Sequence, residues 1–218
     1  MSQHTLTLLR FTYKKLKEKL TVSDSKKLFH EQFPYVIPGL YKKIVDEMLV
    51  ELNLLNHQNE FKPDYLFCVG LTETFKEFTK GYKPDKHLDL LFQSLCSSTN
   101  FDAKEIKEIS QNAKKEFSVK SSKDILKLLK EKSNYKLYPS RVLNLGIYLL
   151  ISNSQDFKER NENEINQIIS DIFGDLNLSA NKAEKDIGIF KSSISKMEQA
   201  KELIEELRIK DKKKNQKK

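Results

Sequence analysis

Apolar side chains return every three or four residues through most of this chain, and that period restricts it to helices. Across residues 38–57, Tyr41, Ile44, Val45, Met48, Leu52 and Leu55 line one side, while Lys42, Lys43, Asp46, Glu47 and Glu51 line the other. A strand would scatter these apolar positions over both faces, because its side chains alternate; a helix gathers them into one stripe. The spacing predicts an amphipathic helix whose charged face is solvated.

The same reasoning extends in both directions. A shorter helix is expected over residues 25–32, with Ser23 or Asp24 as N-cap and with Pro34 and Pro38 breaking the path toward the next one. Asp64 is suited to cap a helix whose stripe is Phe67, Leu71, Phe75 and Phe78, and Gly81 stands where a left-handed C-terminal cap is wanted. Beyond Pro84 the stripe is Leu88, Leu91, Phe92, Leu95 and Cys96, closed by a polar turn at residues 97–100. Asp102 with Glu105 forms a capping pattern ahead of Ile106, Ile109, Ala113 and Phe117, and Ser121 with Asp124 repeats it before Ile125, Leu128 and Leu129. Pro139 suits the first position of a further helix, and residues 142–151 are apolar almost all round, as in a central helix packed on several sides. Ile165, Ile168, Ile169, Ile172, Phe173 and Leu176 are one-sided again, with Gly174 and Asn177 helping to close that helix. Only residues 33–37 look briefly extended.

The final helix is expected over residues 179–209, roughly 47 Å long at about 1.5 Å per residue, more than a small globule needs. Its seam is narrow: Ile187, Phe190, Ile194, Met197 and Ile204, interrupted by Lys201. Such a seam reads as a projecting helix or short coiled coil that pairs with a partner, the alternative being an ordinary last helix docked on the body. These five residues are the candidate partner-binding set. The expected fold class is all-α, a multi-helix globular bundle of eight or nine helices with a long, coiled-coil-like C-terminal helix. Along the chain this reads as an N-terminal extension over 1–20, a helical globular domain over 21–178, the long helix over 179–209 and a disordered Lys-rich tail over 210–218.

Charge bears on partners. The 218 residues include 39 Lys or Arg and 31 Asp or Glu, a formal net charge of +8. Residues 210–218 hold six lysines and one aspartate, so the tail carries +5 and the remaining 33 basic and 30 acidic residues leave the body at +3. A lysine run attracts nucleic acid or anionic lipid without specificity, or is simply a solvated end. No aromatic residues interleave with it as a base-stacking surface requires, so no specific nucleic acid is expected.

Reactive groupings are missing from the sequence. The four histidines, His4, His30, His57 and His87, show no metal-ligand spacing and read as surface residues. The six glycines form neither GxGxxG nor GxxxxGK[ST], and no GxSxG elbow occurs. Asp46, Glu47 and Glu51 have the spacing of a solvated helix face rather than of an acid/base pair. Cys68 and Cys96 fall on apolar stripes, as small core residues kept as thiols in a reducing compartment. No enzyme activity, cofactor or small-molecule substrate is expected. The densest apolar run, residues 142–151, falls short of the roughly 20 residues that span a bilayer, so any membrane association is peripheral.

Three stretches resemble one family: residues 21–29 (TVSDSKKLF), residues 37–55 (IPGLYKKIVDEMLVELNLL), and the segment from Phe61 through Gly81, Tyr82, Lys83 and Pro84 to Leu95 and Cys96. In order and content they resemble the thylakoid formation family, the photosystem II biogenesis proteins of cyanobacteria and chloroplasts. Residues 179–187 (SANKAEKDI) and the helix they lead into resemble that family's terminal coiled-coil segment. The resemblance implies an all-helical fold, attachment to the cytoplasmic side of the thylakoid membrane, and no catalytic motif. It also implies a role in photosystem II assembly and repair through an FtsH-type membrane protease complex. With family positions starting near residue 21 there is no room for a plastid transit peptide, so a cyanobacterial source is expected. The alternative function is a nucleic-acid or ribosome-associated protein recruited by the basic tail.

Overall fold

The computed structural model describes residues 19–215, apart from residue 60 and residues 118–120, 133–136, 155–156 and 158–159. Among the described residues the chain forms nine α-helices and no strand: α1 (Val22–Gln32), α2 (Gly39–Asn56), α3 (Tyr65–Phe78), α4 (Leu88–Ser97), α5 (Ala103–Phe117), α6 (Ser122–Lys132), α7 (Arg141–Ser152), α8 (Glu162–Asp175) and α9 (Ala180–Asn215). A 3₁₀ turn, Asp85–His87, leads into α4. The all-helical class and the long last helix are as expected from the apolar period.

Local chemistry explains most boundaries. The Asp64 carboxylate accepts from the Phe67 N–H at 2.7 Å and starts α3, and Asp102 accepts from Lys104 and Glu105 at the head of α5. Ser121 and Asp124 exchange side-chain and backbone hydrogen bonds before α6. Gly81 has φ of 79° in the turn after α3, a region open to glycine at little cost.

Three expectations are corrected. The N-cap of α1 is Thr21, not Ser23 or Asp24; its hydroxyl accepts from the Asp24 N–H while the Asp24 carboxylate accepts from the Thr21 N–H, so Asp24 is the inner member of a capping box. Pro139 lies outside α7, because Ser140 supplies the acceptor for the Leu143 N–H at 3.1 Å and the helix starts after it. Residues 33–37, read as briefly extended with no sheet expected, form a link outside any helix or strand, with the Phe33 ring turned inward against Phe29. Residues 210–215, expected to be disordered, continue α9, since lysine is a good helix former and cations favour a helix C-terminus. Residues 216–218, and the N-terminal extension as far as residue 18, lie outside the described residues.

Two apolar clusters share the interior. One gathers Phe29, Leu49, Leu52, Phe67, Leu71, Leu91, Phe92 and Leu95 from α1 to α4. The other gathers Leu66, Val69, Phe117, Ile125, Leu129, Leu143, Ile147 and Phe173 from α3 and α5 to α8. Helix α3 serves both, which is why its buried residues run consecutively from Leu66 to Leu71. It crosses α7 at Gly70 and Gly146, where backbone meets backbone. Cys68 and Cys96 are buried free thiols in the first cluster, as their positions on apolar stripes implied.

Candidate interaction surface

Helix α9 decides which surfaces are left open. Its first half packs on α7 and α8 and touches α3. Ala183, Ile187, Phe190 and Met197 are buried there, Ile194 is half-buried, and the Phe190 ring meets Phe78 edge-on at 5.4 Å. The seam expected to project toward a partner is therefore divided, and most of it docks instead. Ile187, Phe190, Ile194 and Met197 are covered by this chain's own body, the ordinary docking arrangement; only Ile204 remains exposed, 42% of its surface open. The division falls at Lys201, whose ammonium reaches the Lys80 carbonyl and lies 5.9 Å from the Tyr41 ring. At full extension α9 is roughly 54 Å long, so its last turns run past the body.

Polar groups lock the docked half. The Asn144 amide donates to the Asp186 carboxylate at 2.8 Å, both buried, tying α7 to α9. Glu51 of α2 accepts from the Val142 N–H at 3.0 Å, at the head of α7 where the helix dipole favours an anion. Glu51 is thus no solvated face residue. Burial pushes its carboxyl above the usual range, against the lowering pull of the Val142 N–H and the Arg141 guanidinium. Arg141 in turn lies 3.6 Å from Glu47.

Between α2 and the docked half of α9 an open crevice of about 210 Å³ remains. Ile44, Met48, Phe78 and Phe190 make its apolar wall, and Lys43, Arg141 and Lys196 line it together with Glu47 and Glu51. Thr74, 5% exposed, lines it with a hydroxyl that has no hydrogen-bond partner, and Ile189 on the rim is exposed. The sequence reading missed Ile189 and Thr74. Ile189 falls on a second run, Ile189, Ser193, Lys196, Ala200, Leu203 and Leu207, spaced alternately four and three; its polar members hid it.

Other candidates stay apart. His30 and His57 are exposed, His87 is half-buried against the Tyr35 ring at 3.8 Å, and His4 is outside the described residues. Among the described residues no group of three His, Cys, Asp or Glu converges as a metal site. None of the described helices is long and apolar enough to cross a membrane.

The sequence profile of the thylakoid formation protein family matches residues 21–218. Protein Thf1 of Prochlorococcus marinus strain MIT 9312 is 83% identical over 199 residues, covering 91% of this chain and 99% of that protein. Protein Thf1 of Prochlorococcus marinus subsp. pastoris strain CCMP1986 / NIES-2087 / MED4 is 70% identical over 202 residues, covering 93% and 100%. A solved structure of Psb29 shares the fold, with a TM-score of 0.78 at 24% identity over 90% of this chain and 98% of that one.

Proposed function

The chain belongs to the thylakoid formation protein family, and we propose that it is a non-catalytic accessory factor of cyanobacterial thylakoid biogenesis, acting in photosystem II assembly and repair through an FtsH-type membrane protease complex. The family's description supports the thylakoid role, and the relatives' source supports a cyanobacterial setting. The finer assignment, to the protease on the cytoplasmic side of the membrane, rests on the family resemblance of residues 21–96 together with one structural observation. The crevice between α2 and α9 presents an apolar wall flanked by the charged side chains of Lys43, Glu47, Arg141 and Lys196. Those are the features that receive an apolar side chain with a polar neighbour from another protein. We assign the protease contact to this crevice, and the exposed Ile189 to its margin.

Deleting the gene tests the function. Protease complex levels should fall and recovery from strong light should slow, and restoring the chain with Ile189→Asp should leave both defects in place. Normal levels and normal recovery in the deletion strain would reject the proposal. Capture of RNA instead of protease subunits, abolished by removing residues 210–218 and by salt, would favour the nucleic-acid alternative.

A further inference from the structure

Of the eight large apolar side chains exposed among the described residues, all but Leu54 and Ile189 belong to two elements, the loop at residues 33–38 and the end of α9. Lys201, where α9 leaves the body, lies against Lys80, Gly81 and Tyr41. Beyond it Leu203, Ile204, Leu207 and Ile209 are exposed. Tyr41 sits in the first turn of α2, just after the loop at residues 33–38, on which Val36 is 91% exposed and Tyr35 nearly half so. Lys80 and Gly81 open the turn that leads through Lys83 and Lys86 to His87, and the His87 ring stacks on Tyr35 at 3.8 Å. Two separate elements, a loop tip and a helix end, therefore bring their apolar groups to the same pole.

The loop tip is braced. Phe33 is buried and stacks on Phe29 at 5.9 Å, and the Tyr35 ring is edge-on to Phe33 at 5.4 Å as well as flat on His87. Prolines at 34 and 38 restrict the backbone on either side. Val36 is thus held outward by an aromatic stack, with little freedom left to lose on docking.

Charge at this pole is predominantly basic, residues 210–218 holding six lysines and one aspartate. Lys83 and Lys86 are exposed beside the loop, with Lys83 paired to Asp85 at 2.7 Å, and Lys210 is exposed near the end of α9. At about 100° per residue, Glu202, Glu205 and Glu206 centre roughly 150° from the stripe of Leu203, Ile204 and Leu207. The stripe can face an apolar layer while the acids face water.

We propose that this pole docks on a bilayer surface carrying anionic phospholipids: Val36 and Tyr35 enter the interface at one point, Leu203, Ile204 and Leu207 at another, and the lysines meet the phosphates. A laterally adaptable, negatively charged surface with an apolar layer beneath satisfies both apolar elements and the lysines together. This deepens the thylakoid reading by naming the surface that meets the membrane.

Flotation of the full chain with vesicles of phosphatidylcholine alone, and of phosphatidylcholine with phosphatidylglycerol in equal parts, tests it. Binding should be at least about tenfold stronger to the mixed vesicles. Val36→Asp, and separately Leu203→Asp with Leu207→Asp, should each weaken it by about tenfold or more with melting temperature unchanged, since all three sites are exposed. Val36→Trp provides the chain's sole tryptophan, and its emission should shift to the blue on mixed vesicles. Failure of the wild type to float, full binding by the Asp variants, or an unshifted tryptophan in bound protein would each overturn the proposal. Purified protein and vesicles suffice, so loss of vesicle binding with intact protease dependence rejects this inference alone, and the reverse result rejects the protease reading alone.

Discussion

Gly70 of α3 and Gly146 of α7 face each other across a helix crossing where the two backbones touch. A Cβ on Gly70 would fall well inside 3.0 Å of the Val142 carbonyl oxygen, and one on Gly146 would meet the Leu66 carbonyl in the same way. Neither obstacle is a flexible side chain that can swing away. The crossing joins the two apolar clusters, so separating it disturbs both.

Gly146→Ala and Gly70→Ala should each destabilise the protein by about 3 kcal/mol or more, at the upper end of overpacking costs because backbone must move. Gly188→Ala is the control. It lies in exposed helix with nothing within 4 Å of its added carbon and should stabilise by about 0.5–1 kcal/mol through helix propensity. Urea denaturation of the three variants checks the contrast, and a harmless Gly146→Ala would refute the crossing.

The two halves of α9 should respond differently to truncation. Phe190→Ala should cost about 3 kcal/mol and Met197→Ala about 2, since both side chains are buried on the body. Leu203→Ala and Leu207→Ala should stay within about 0.5 kcal/mol, because their side chains are exposed. Equal losses along the helix would mean the end also packs against the body.

Glu51 gives a pH signature. Its folded carboxyl is raised, chiefly by burial, so its contribution to stability is present below the unfolded value and is lost as pH rises through the folded one. Glu51→Gln keeps an acceptor for the Val142 N–H without the buried charge. The variant should therefore gain on the wild type as pH rises from the ordinary carboxylate range toward neutrality. Denaturation midpoints of both proteins across that range check the sign; a constant difference would contradict it.

The cysteines should be silent in the native protein. Burial pushes the Cys96 thiol up to about 12 and raises Cys68 as well, so neither offers thiolate at neutral pH. A thiol-reactive dye should label neither residue until denaturant is added, then both. Rapid labelling of the folded chain would show that one of them is open to solvent.

Much of this architecture is legible in residues that lie close together in the chain. Asp64, Asp102 and the Ser121–Asp124 pair cap helices because their partners are two or three residues away. Where two local signals competed, the nearer hydrogen-bond acceptor decided, as at Thr21 over Asp24 and at Ser140 over Pro139. Glu51 was opaque because its partner, Val142, is 91 residues distant. Thr74 and Ile189 were opaque because a crevice belongs to no single helix.

Amino-acid order alone dictates that the chain is helical, where most of its helices start, and that its last helix carries a narrow apolar seam; each comes from periodicity and capping among neighbours. Three-dimensional packing was needed to settle that Ile187, Phe190 and Met197 meet the body while Ile204 meets solvent. An apolar stripe has the same spacing whatever covers it. Its cover is set by how far the packed body reaches, and that limit is drawn at Lys201 by Lys80, Gly81 and Tyr41, residues far away in the chain.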